Sequence, residues 1–92
     1  MGFRVIYHPA VAGEDLPRIP ADIRERIARA IQTRLTTTPE RYGRPLRGTL
    51  RGYWKLRVGD YRVVFKPIGD EVRILAIRHR RDVYDESVRR PR

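Results

Sequence analysis

The chain contains no cysteine among its 92 residues, which excludes a disulfide framework and a thiolate metal site. Its only two histidines, His8 and His79, are too few and too far apart in sequence to predict a zinc site. No apolar run approaches the roughly 20 residues of a membrane span, and no signal peptide is recognisable at the N-terminus. These absences predict a cytoplasmic protein with no cofactor, no metal and no membrane partner. The length predicts one domain over residues 1–92.

Positive charge is in large surplus. Lys and Arg number 21 against 11 Asp and Glu, which gives a net charge of +10. Lysine occurs only at Lys55 and Lys66, so nearly all of the positive charge is arginine. High-GC codon usage explains arginine in place of lysine, but it does not explain the surplus itself. The balance predicts an anionic partner, either nucleic acid or an acidic protein, and guanidinium groups suit bidentate contacts to phosphate.

The segment Tyr53–Lys66 has the pattern of a β-hairpin with two faces of opposite character. Gly59-Asp60 is a two-residue turn signal. The predicted apolar face pairs Val58 with Tyr61, Leu56 with Val63 and Trp54 with Phe65. The predicted second face pairs Arg57 with Arg62, Lys55 with Val64 and Tyr53 with Lys66. Two arginines directly across a ladder repel each other, so we expect this second face to bind something anionic.

Outside the hairpin, the clearest pattern is helical. Apolar residues recur at spacings of three and four from Pro20 to about Thr36, which predicts an amphipathic helix. The other expected elements are a strand at Phe3–Tyr7, a weak helix at Pro9–Leu16, a loop over residues 39–52, a turn at Gly69-Asp70, a third sheet segment at Glu71–Arg78, a short helix within Arg81–Arg90 and a frayed tail over residues 89–92.

The predicted fold class is α+β, with two N-terminal helices packed on one face of a small antiparallel sheet. The element order is β-α-α-β-β-β, followed by the short C-terminal helix. The third segment is expected to place Val72, Ile74 and Ala76 on the apolar face, and Arg73, Leu75 and Ile77 on the second face. Leu75 and Ile77 need cover, which the C-terminal helix would supply. The rest of the second face is expected to keep its basic residues exposed.

Cationic groups converge at one end of this sheet, because the third segment runs back antiparallel and brings Arg78–Arg81 near Arg62. Cations and a phenol suit a phosphodiester. RNA can be cut without metal when its 2′-OH attacks the adjacent phosphate, which needs a base, cations around the phosphorus and an acid. Nearby positive charge disfavours an ammonium ion and favours a phenolate, so Lys55 or Tyr84 could act as the base.

Each of these residues also has a purely structural interpretation. Arg57 and Arg62 could form a solvated sheet face, and Lys55 could be an ordinary strand residue. Tyr84 could pack the last helix onto the sheet. His79 is interpreted as a core or capping histidine in preference to a catalytic one.

Two stretches of the sequence resemble the RelE/ParE superfamily of bacterial toxins. They are Leu-Arg-Gly-Tyr-Trp-Lys-Leu-Arg-Val-Gly-Asp-Tyr-Arg-Val-Val-Phe and Val-Arg-Ile-Leu-Ala-Ile-Arg-His-Arg-Arg-Asp-Val-Tyr, and the match is most specific from Leu46 to Glu86. The resemblance implies a RelE-like fold and the toxin of a type II toxin–antitoxin pair. RelE-like members cut mRNA in the A site of the 70S ribosome. The implied partners are an acidic cognate antitoxin, the ribosome with its mRNA and, only through the antitoxin complex, operator DNA.

The resemblance also implies roles for individual residues. The implied catalytic residues are Lys55, Arg62, Arg80 and Tyr84, with Arg78 as the alternative to Arg80 if the alignment has a gap. The implied RNA-binding residues are Arg57, Arg78, Arg81, His79 and Lys66. One departure stands out, because RelE has a second lysine at the place that Tyr53 occupies here. A histidine near the C-terminus serves some relatives, which favours His79.

Two other functions stay open at this point. One is a ParE-type inhibitor of DNA gyrase, a branch with the same fold that generally lacks the lysine, arginine and tyrosine set. The other is a catalytically inactive relative that only binds RNA or its antitoxin, which Tyr53 in the lysine place would suit. The presence of Lys55, Arg62, Arg80 and Tyr84 together favours the endoribonuclease over both.

Overall fold

The computed structural model describes residues 2–84 and 89–91 of the chain. Within these residues, five strands form one sheet, and the helical elements between Val11 and Leu35 pack on one of its faces. The elements are β1 (Arg4–Tyr7), a helical turn (Val11–Asp15), a 3-10 turn (Leu16–Arg18), α1 (Ala21–Ala30) continuing into a wider turn (Ile31–Leu35), α2 (Pro39–Tyr42), β2 (Arg44–Pro45), a 3-10 turn (Gly48–Leu50), β3 (Trp54–Val58), β4 (Tyr61–Ile68) and β5 (Glu71–His79). None of the helices within these ranges is long and apolar enough to cross a membrane.

The predicted amphipathic helix is confirmed as α1 with its wider last turn. Pro20 has extended ψ and is the N-cap residue of α1, and Asp22 lies in the first turn of α1, where its charge suits the helix dipole. Ile27 and Ala30 of α1, then Ile31 and Leu35 of the wider turn, are buried against the sheet. The weak first helix is confirmed as two short helical turns, over Val11–Asp15 and Leu16–Arg18.

The predicted hairpin is confirmed in its register. β3 and β4 pair Trp54 with Phe65, Lys55 with Val64, Leu56 with Val63, Arg57 with Arg62 and Val58 with Tyr61. Gly59 has a φ of 60°, which a side chain would strain, so the glycine suits this tight turn.

The expectation of an all-antiparallel sheet is wrong at one edge. The strand order is β1-β5-β4-β3-β2, and β1 runs parallel to β5. Only strands joined by tight turns must be antiparallel. β1 is separated from β5 by the helices and both hairpins, so the chain can return in either direction.

The predicted loop over residues 39–52 contains more structure than expected. It includes α2, the two-residue strand β2, which pairs with β3, and the 3-10 turn Gly48–Leu50. Gly43 lies between α2 and β2, directly against the Phe65 ring. A Cβ on Gly43 would lie 2.6 Å from an atom of that ring. The absence of a side chain therefore allows the chain to pass close to the Phe65 ring as it enters β2.

The predicted alternation of side chains in the third segment is wrong from Ala76 onward. Phe65 pairs with Ile74, but Val64 pairs with Ala76, so a bulge inserts an extra residue into β5. The extra residue reverses the side-chain alternation that follows. Ile77 therefore joins the helix-side core, and Ala76 joins Leu75 on the second face.

Two apolar clusters fill the two sides of the sheet. The larger one, between helices and sheet, includes Ile27, Ile31, Leu35, Val63, Phe65, Ile74 and Ile77. The smaller one lies on the second face and consists of Leu50, Val64, Leu75, Ala76 and Val83, with Leu46 and Tyr53 packed against it. The expected cover over Leu75 is therefore present in Val83. The second face is thus apolar and covered in its centre, while Arg57 and Arg73 keep the exposure that was expected of its basic residues.

The C-terminal predictions have separate outcomes. The short helix predicted within Arg81–Arg90 includes residues 85–88, which lie outside the described residues. The frayed tail predicted for residues 89–92 is wrong for the part that the structure describes, because Arg90 is buried at 7% exposure. Its guanidinium binds Asp15, which is also buried.

Candidate functional site

A row of three arginines crosses the sheet at the hairpin end. Arg62 of β4 is paired with Arg57 of β3 on one side and with Arg78 of β5 on the other. Cross-strand partners lie close together, so three like charges side by side destabilise the sheet unless something neutralises them. The three guanidinium groups have different surroundings, which separate their roles.

Arg78 is neutralised inside the protein. Its side chain is 6% exposed, and its Nη1 lies 3.3 Å from the Asp15 Oδ1 atom. A burial penalty for two charges is offset only by close pairing and hydrogen bonding of this kind. The structure therefore does not bring Arg78 onto the accessible surface with the other predicted RNA-binding residues.

Arg62 is held by its own hairpin. Its Nη1 donates hydrogen bonds to the Gly59 carbonyl at 3.0 Å and to the Tyr61 carbonyl at 2.9 Å. The side chain is half-buried. These contacts involve neutral acceptors, so the charge of Arg62 is oriented by the turn without being cancelled by a carboxylate.

Arg57 keeps its charge exposed. Within residues 2–84 and 89–91 its side chain has no hydrogen bond and no ion pair. It also lines a cleft of about 270 Å³ between the hairpin and α1, together with Arg26, Arg29 and Arg34. Sequence reasoning missed this extension of the positive surface. The signal was available, since these three arginines lie off the apolar stripe of the helix.

Lys55 and Tyr84 meet beside the arginine row. The Lys55 Nζ lies 5.7 Å from the centroid of the Tyr84 ring. Lys55 is placed by β3, and Tyr84 follows Val83, which is buried in the second-face cluster and so brings its neighbour to the sheet. Lys55 is half-buried and Tyr84 is 38% exposed. An ammonium group and a phenol thus lie together at a surface that a ligand can reach.

Arg80 lies at the end of β5, next to the hairpin turn. Its backbone N–H donates to the Asp60 carbonyl at 2.8 Å. Its Nε lies 3.9 Å from the Asp60 Oδ1, and both side chains are more than half exposed. A pair at this distance in water is weak, so the Arg80 guanidinium can turn to another anion.

His79, one of the predicted RNA-binding residues, lies on the helix side of the sheet. His79 is paired with Tyr61, and the two rings meet edge-to-face with centroids 5.6 Å apart. Tyr61 packs against the helix-side core, so His79 lies away from Lys55. The His79 Nδ1 accepts a hydrogen bond from the Arg81 backbone, which is the capping role that the sequence favoured. Arg81 itself is exposed after the end of β5.

Lys66 lies further along the second face than Lys55. Its Nζ is 5.3 Å from the centroid of the Tyr53 ring, and both side chains are half-buried. Tyr53 also packs against the second-face cluster. The residue in the place of the family's second lysine is thus part of the apolar cover, and its ring holds the ammonium group of Lys66.

The side chains present define which chemistry the site can support. Within the described part of the chain, no group of three or more His, Asp or Glu side chains is placed to hold a metal ion. The groups that do converge are one ammonium ion, one phenol and several guanidinium ions. The fold and these residues define a small α+β domain with a cationic cluster at one end of its sheet.

Comparisons with known proteins agree with this class. Residues 2–84 match the family described as the ParE toxin of the type II toxin–antitoxin system parDE. Toxin RelE of Mycobacterium tuberculosis is 38% identical to the chain, over 94% of each sequence. Toxin RelG of the same organism is 37% identical, over 79% of this chain and 86% of its own length. The chain therefore belongs to the RelE/ParE superfamily of type II toxins.

Solved structures support the fold independently. The RelBE2 toxin–antitoxin complex of M. tuberculosis contains a chain that superposes with a TM-score of 0.79 and is 27% identical, covering 86% of this chain and 99% of that one. The RelB–RelE complex of Methanococcus jannaschii gives a TM-score of 0.70 at 24% identity, covering 88% of this chain and 96% of that one. The RelE-like fold is therefore shared over nearly the whole length of both.

Proposed function

We propose that this toxin is a ribosome-dependent mRNA endoribonuclease that stops translation. The observation that carries the proposal is the contact of Lys55 with Tyr84 beside the oriented guanidinium of Arg62. The Lys55 Nζ lies 5.7 Å from the centroid of the Tyr84 ring. A gyrase inhibitor that acts by binding alone has no need of such a set. The names of the M. tuberculosis relatives, Toxin RelE and Toxin RelG, support the RelE-like branch.

The proposed reaction is an attack of the RNA 2′-OH on its own 3′-phosphate. The 2′-oxygen forms a bond to phosphorus, and the bond from phosphorus to the 5′-oxygen of the next nucleotide breaks. The 2′-OH proton passes to a base, and an acid protonates the departing 5′-oxygen. The products are a 2′,3′-cyclic phosphate and a 5′-OH. The proton taken from the 2′-OH is balanced by the proton given to the 5′-oxygen, and no oxidant or metal is needed.

Lys55 and Tyr84 are the proposed proton-transfer pair, since they are the titratable groups of the cluster that reach the surface together. Arg62 is the proposed stabiliser of the pentacoordinate phosphate, because its orientation is fixed before the substrate arrives. Arg80 would pair with the phosphate at the cleavage site in exchange for its weak contact with Asp60. Arg57, Arg81 and Lys66 would bind the message on either side. Arg78 and His79 are left out of the proposed site because of where they lie.

The proposed partners are a cognate acidic antitoxin, the 70S ribosome with mRNA in its A site and, through the antitoxin complex alone, operator DNA. The similar chains of known structure come from toxin–antitoxin complexes, which supports the first of these. The net charge of +10 suits all three. The place of action would be the cytoplasm, where the ribosomes are.

A cleavage assay on programmed ribosomes tests the proposal. Purified toxin is expected to cut mRNA held in the A site and to leave the same RNA intact in the absence of ribosomes. The cut ends should be a cyclic phosphate and a 5′-OH. Message that stays intact on ribosomes, at toxin concentrations that arrest growth, would remove the proposal.

A ParE-type gyrase inhibitor is the second candidate, because the matching family is described by the ParE toxin. A supercoiling assay with purified gyrase separates the two. Inhibited supercoiling together with intact message would support this candidate. The third possibility, a binding protein without activity, would show neither effect and would still bind RNA or the antitoxin. Tyr53 in the lysine place is the feature that suits it.

A further inference from the structure

We propose that Asp15 and Arg90 form a latch that ties the C-terminal segment to the edge of β5, and that both act as positioning residues for Tyr84. The latch itself is a statement about the fold. Its catalytic consequence rests on the proposed function of Tyr84.

Asp15 is the centre of the latch. It is fully buried, and its carboxylate accepts hydrogen bonds from Arg78, from Arg90 and from the backbone N–H of Ile77. The distance from the Ile77 nitrogen to Oδ2 is 2.9 Å. One short helical turn of the N-terminal region thereby joins β5 to the end of the chain.

Arg90 closes the latch with a fork geometry. Its Nη1 lies 2.8 Å from Asp15 Oδ2, and its Nη2 lies 3.0 Å from Asp15 Oδ1. Nη1 also donates to the Leu75 carbonyl at 2.9 Å. The pairing of β1 with β5 ends at Ile74, so Asp15 and Arg90 bind polar groups of β5 beyond the reach of its neighbouring strand.

A second contact fixes the same tail independently. The His8 Nε2 lies 2.7 Å from the Pro91 carbonyl oxygen, and since that oxygen can only accept, Nε2 donates. The other ring nitrogen of His8 accepts a hydrogen bond from the Ala10 backbone at 3.0 Å. Both ring nitrogens of His8 therefore take part in hydrogen bonds. The adjacent residues Arg90 and Pro91 are thus bound to Asp15 and His8, respectively.

The latch bears on Tyr84 because it restrains the chain on the far side of that residue. On the near side, the Asp82 N–H donates to the His79 carbonyl, and Val83 is buried. The chain from Tyr84 to Arg90 can extend at most about 20 Å, so the latch confines where Tyr84 can go. Among the described residues after β5, the turn at Asp82 and the packing of Val83 are the other restraints on the phenol beside Lys55.

A buried ion cluster is seldom a source of net stability, since apolar residues of similar volume often serve as well. Such a cluster instead fixes the relative positions of the segments that it joins, because the carboxylate and its guanidinium partners bind in one arrangement. We therefore infer that this cluster is kept for the placement of the C-terminal segment.

A cross-linking experiment tests the latch without reference to any activity. The chain has no cysteine, so Lys55→Cys with Tyr84→Cys gives a unique thiol pair that a short bismaleimide can join. Arg90→Ala is expected to slow the cross-linking at least about fivefold, because the second thiol loses its fixed position. Arg89→Ala is the matched control, because Arg89 precedes Arg90 but has an exposed side chain. This substitution should leave the cross-linking rate unchanged. Equal rates in the two backgrounds would overturn the latch.

Thermal unfolding verifies that the compared proteins are folded. If Arg90→Ala does not fold, Arg90→Lys takes its place, because it keeps the charge and loses the fork. The Lys variant is expected to cross-link more slowly than the Arg89→Ala control, and the opposite order would overturn the latch as well.

A double-mutant cycle tests the positioning role. Under single turnover on programmed ribosomes, Arg90→Ala is expected to lower the cleavage rate roughly tenfold to a hundredfold without weakening ribosome binding. In a Tyr84→Phe background, the same change should have no further effect. An equal loss in both backgrounds would overturn the positioning role. If the unmodified toxin does not cleave, the proposed function fails, while the cross-linking result still decides on the latch.

Discussion

The Lys55 ammonium group lies 5.7 Å from the centre of the Tyr84 ring, although one residue belongs to β3 and the other follows the end of β5. A cation over an aromatic face at a partly exposed site contributes only about 0.5–1 kcal/mol. That is too little to explain on its own why the chain places both groups there. Their shared access to solvent and to the arginine row fits a catalytic pair better than a structural one.

Replacing Lys55 by arginine separates charge from proton transfer. Lys55→Arg keeps a cation on β3, but a guanidinium does not give up its proton in proteins. We expect the rate of mRNA cleavage on ribosomes to fall about 10²- to 10⁴-fold, which is the usual contribution of general acid–base catalysis. Binding to ribosomes should change little. Single-turnover cleavage and a ribosome pelleting assay measure the two quantities.

Lys66→Arg is the control for that experiment, because Lys66 is the chain's other lysine. It lies on the ring of Tyr53, away from Tyr84, and the substitution keeps its charge. Its cleavage rate should stay within about threefold of the unmodified toxin. Equal losses in the two variants would show that lysine as such, and not its place beside Tyr84, matters.

The hairpin and the amphipathic helix could be predicted because their signals are local. A two-residue turn fixes the register of β3 against β4, and the helical spacing fixes which side of α1 is buried. The bulge in β5 could not be predicted in this way, since one extra residue leaves no local pattern. It moved Ile77 to the helix side of the sheet.

The candidate site shows the same division between local and distant effects. Placing Arg57 opposite Arg62 required only the hairpin. The burial of Arg78 depends on Asp15, which is 63 residues away in sequence, and the docking of Arg90 depends on the same carboxylate. The sequence contains 19 arginines among its 21 basic residues, since only Lys55 and Lys66 are lysine. Nothing in their spacing shows which two of them meet a buried partner.

Arg62→Ala is expected to abolish growth arrest and leave the fold intact. Among the described residues, the side chain binds carbonyls of its own turn and nothing else, so its loss should change the free energy of unfolding by about 1 kcal/mol. Removing one preorganised cation from the phosphate should cost about 10²- to 10³-fold in cleavage rate. The measurements are growth after induction and thermal unfolding. Arg24→Ala, at an exposed position of α1 that does not line the cleft with Arg57, is the control that should remain toxic.

Gly43→Ala is expected to destabilise the protein by about 1–3 kcal/mol, because its new methyl group would press on the core ring of Phe65. The nearest backbone atom, the Lys55 carbonyl oxygen, lies 3.3 Å from the built Cβ and limits relaxation. Gly13→Ala is the control, since its Cβ would meet nothing within 4 Å. Urea unfolding should show a loss for the first variant and no loss for the second. An unchanged midpoint for Gly43→Ala would show that the chain at Gly43 is not closely packed on the Phe65 ring.

Asp15→Asn is expected to cost about 3–5 kcal/mol in the free energy of unfolding at neutral pH. The substitution keeps the shape of the side chain and removes its charge, which leaves the guanidinium groups of Arg78 and Arg90 buried without their carboxylate. Asp22→Asn, at an exposed place in the first turn of α1, should cost only about 0.3–1 kcal/mol. Urea unfolding measures both. Losses of similar size would contradict the central place given to Asp15.

Binding of single-stranded RNA should weaken steeply with salt, because the positive surface releases counterions from the phosphates. The slope of log affinity against log salt is about −0.7 for each phosphate neutralised, so Arg57→Ala should make the slope shallower by about 0.7. Arg4→Ala should leave it unchanged, since Arg4 lies at the other end of the sheet and is paired with Asp70 and Glu71. Fluorescence anisotropy with a labelled oligonucleotide, over a range of potassium chloride concentrations, gives both slopes. An Arg57→Ala slope equal to that of the unmodified toxin would mean that Arg57 does not contact the phosphates, whereas a change in Arg4→Ala would mean that the RNA binds across the whole protein without choosing the hairpin end.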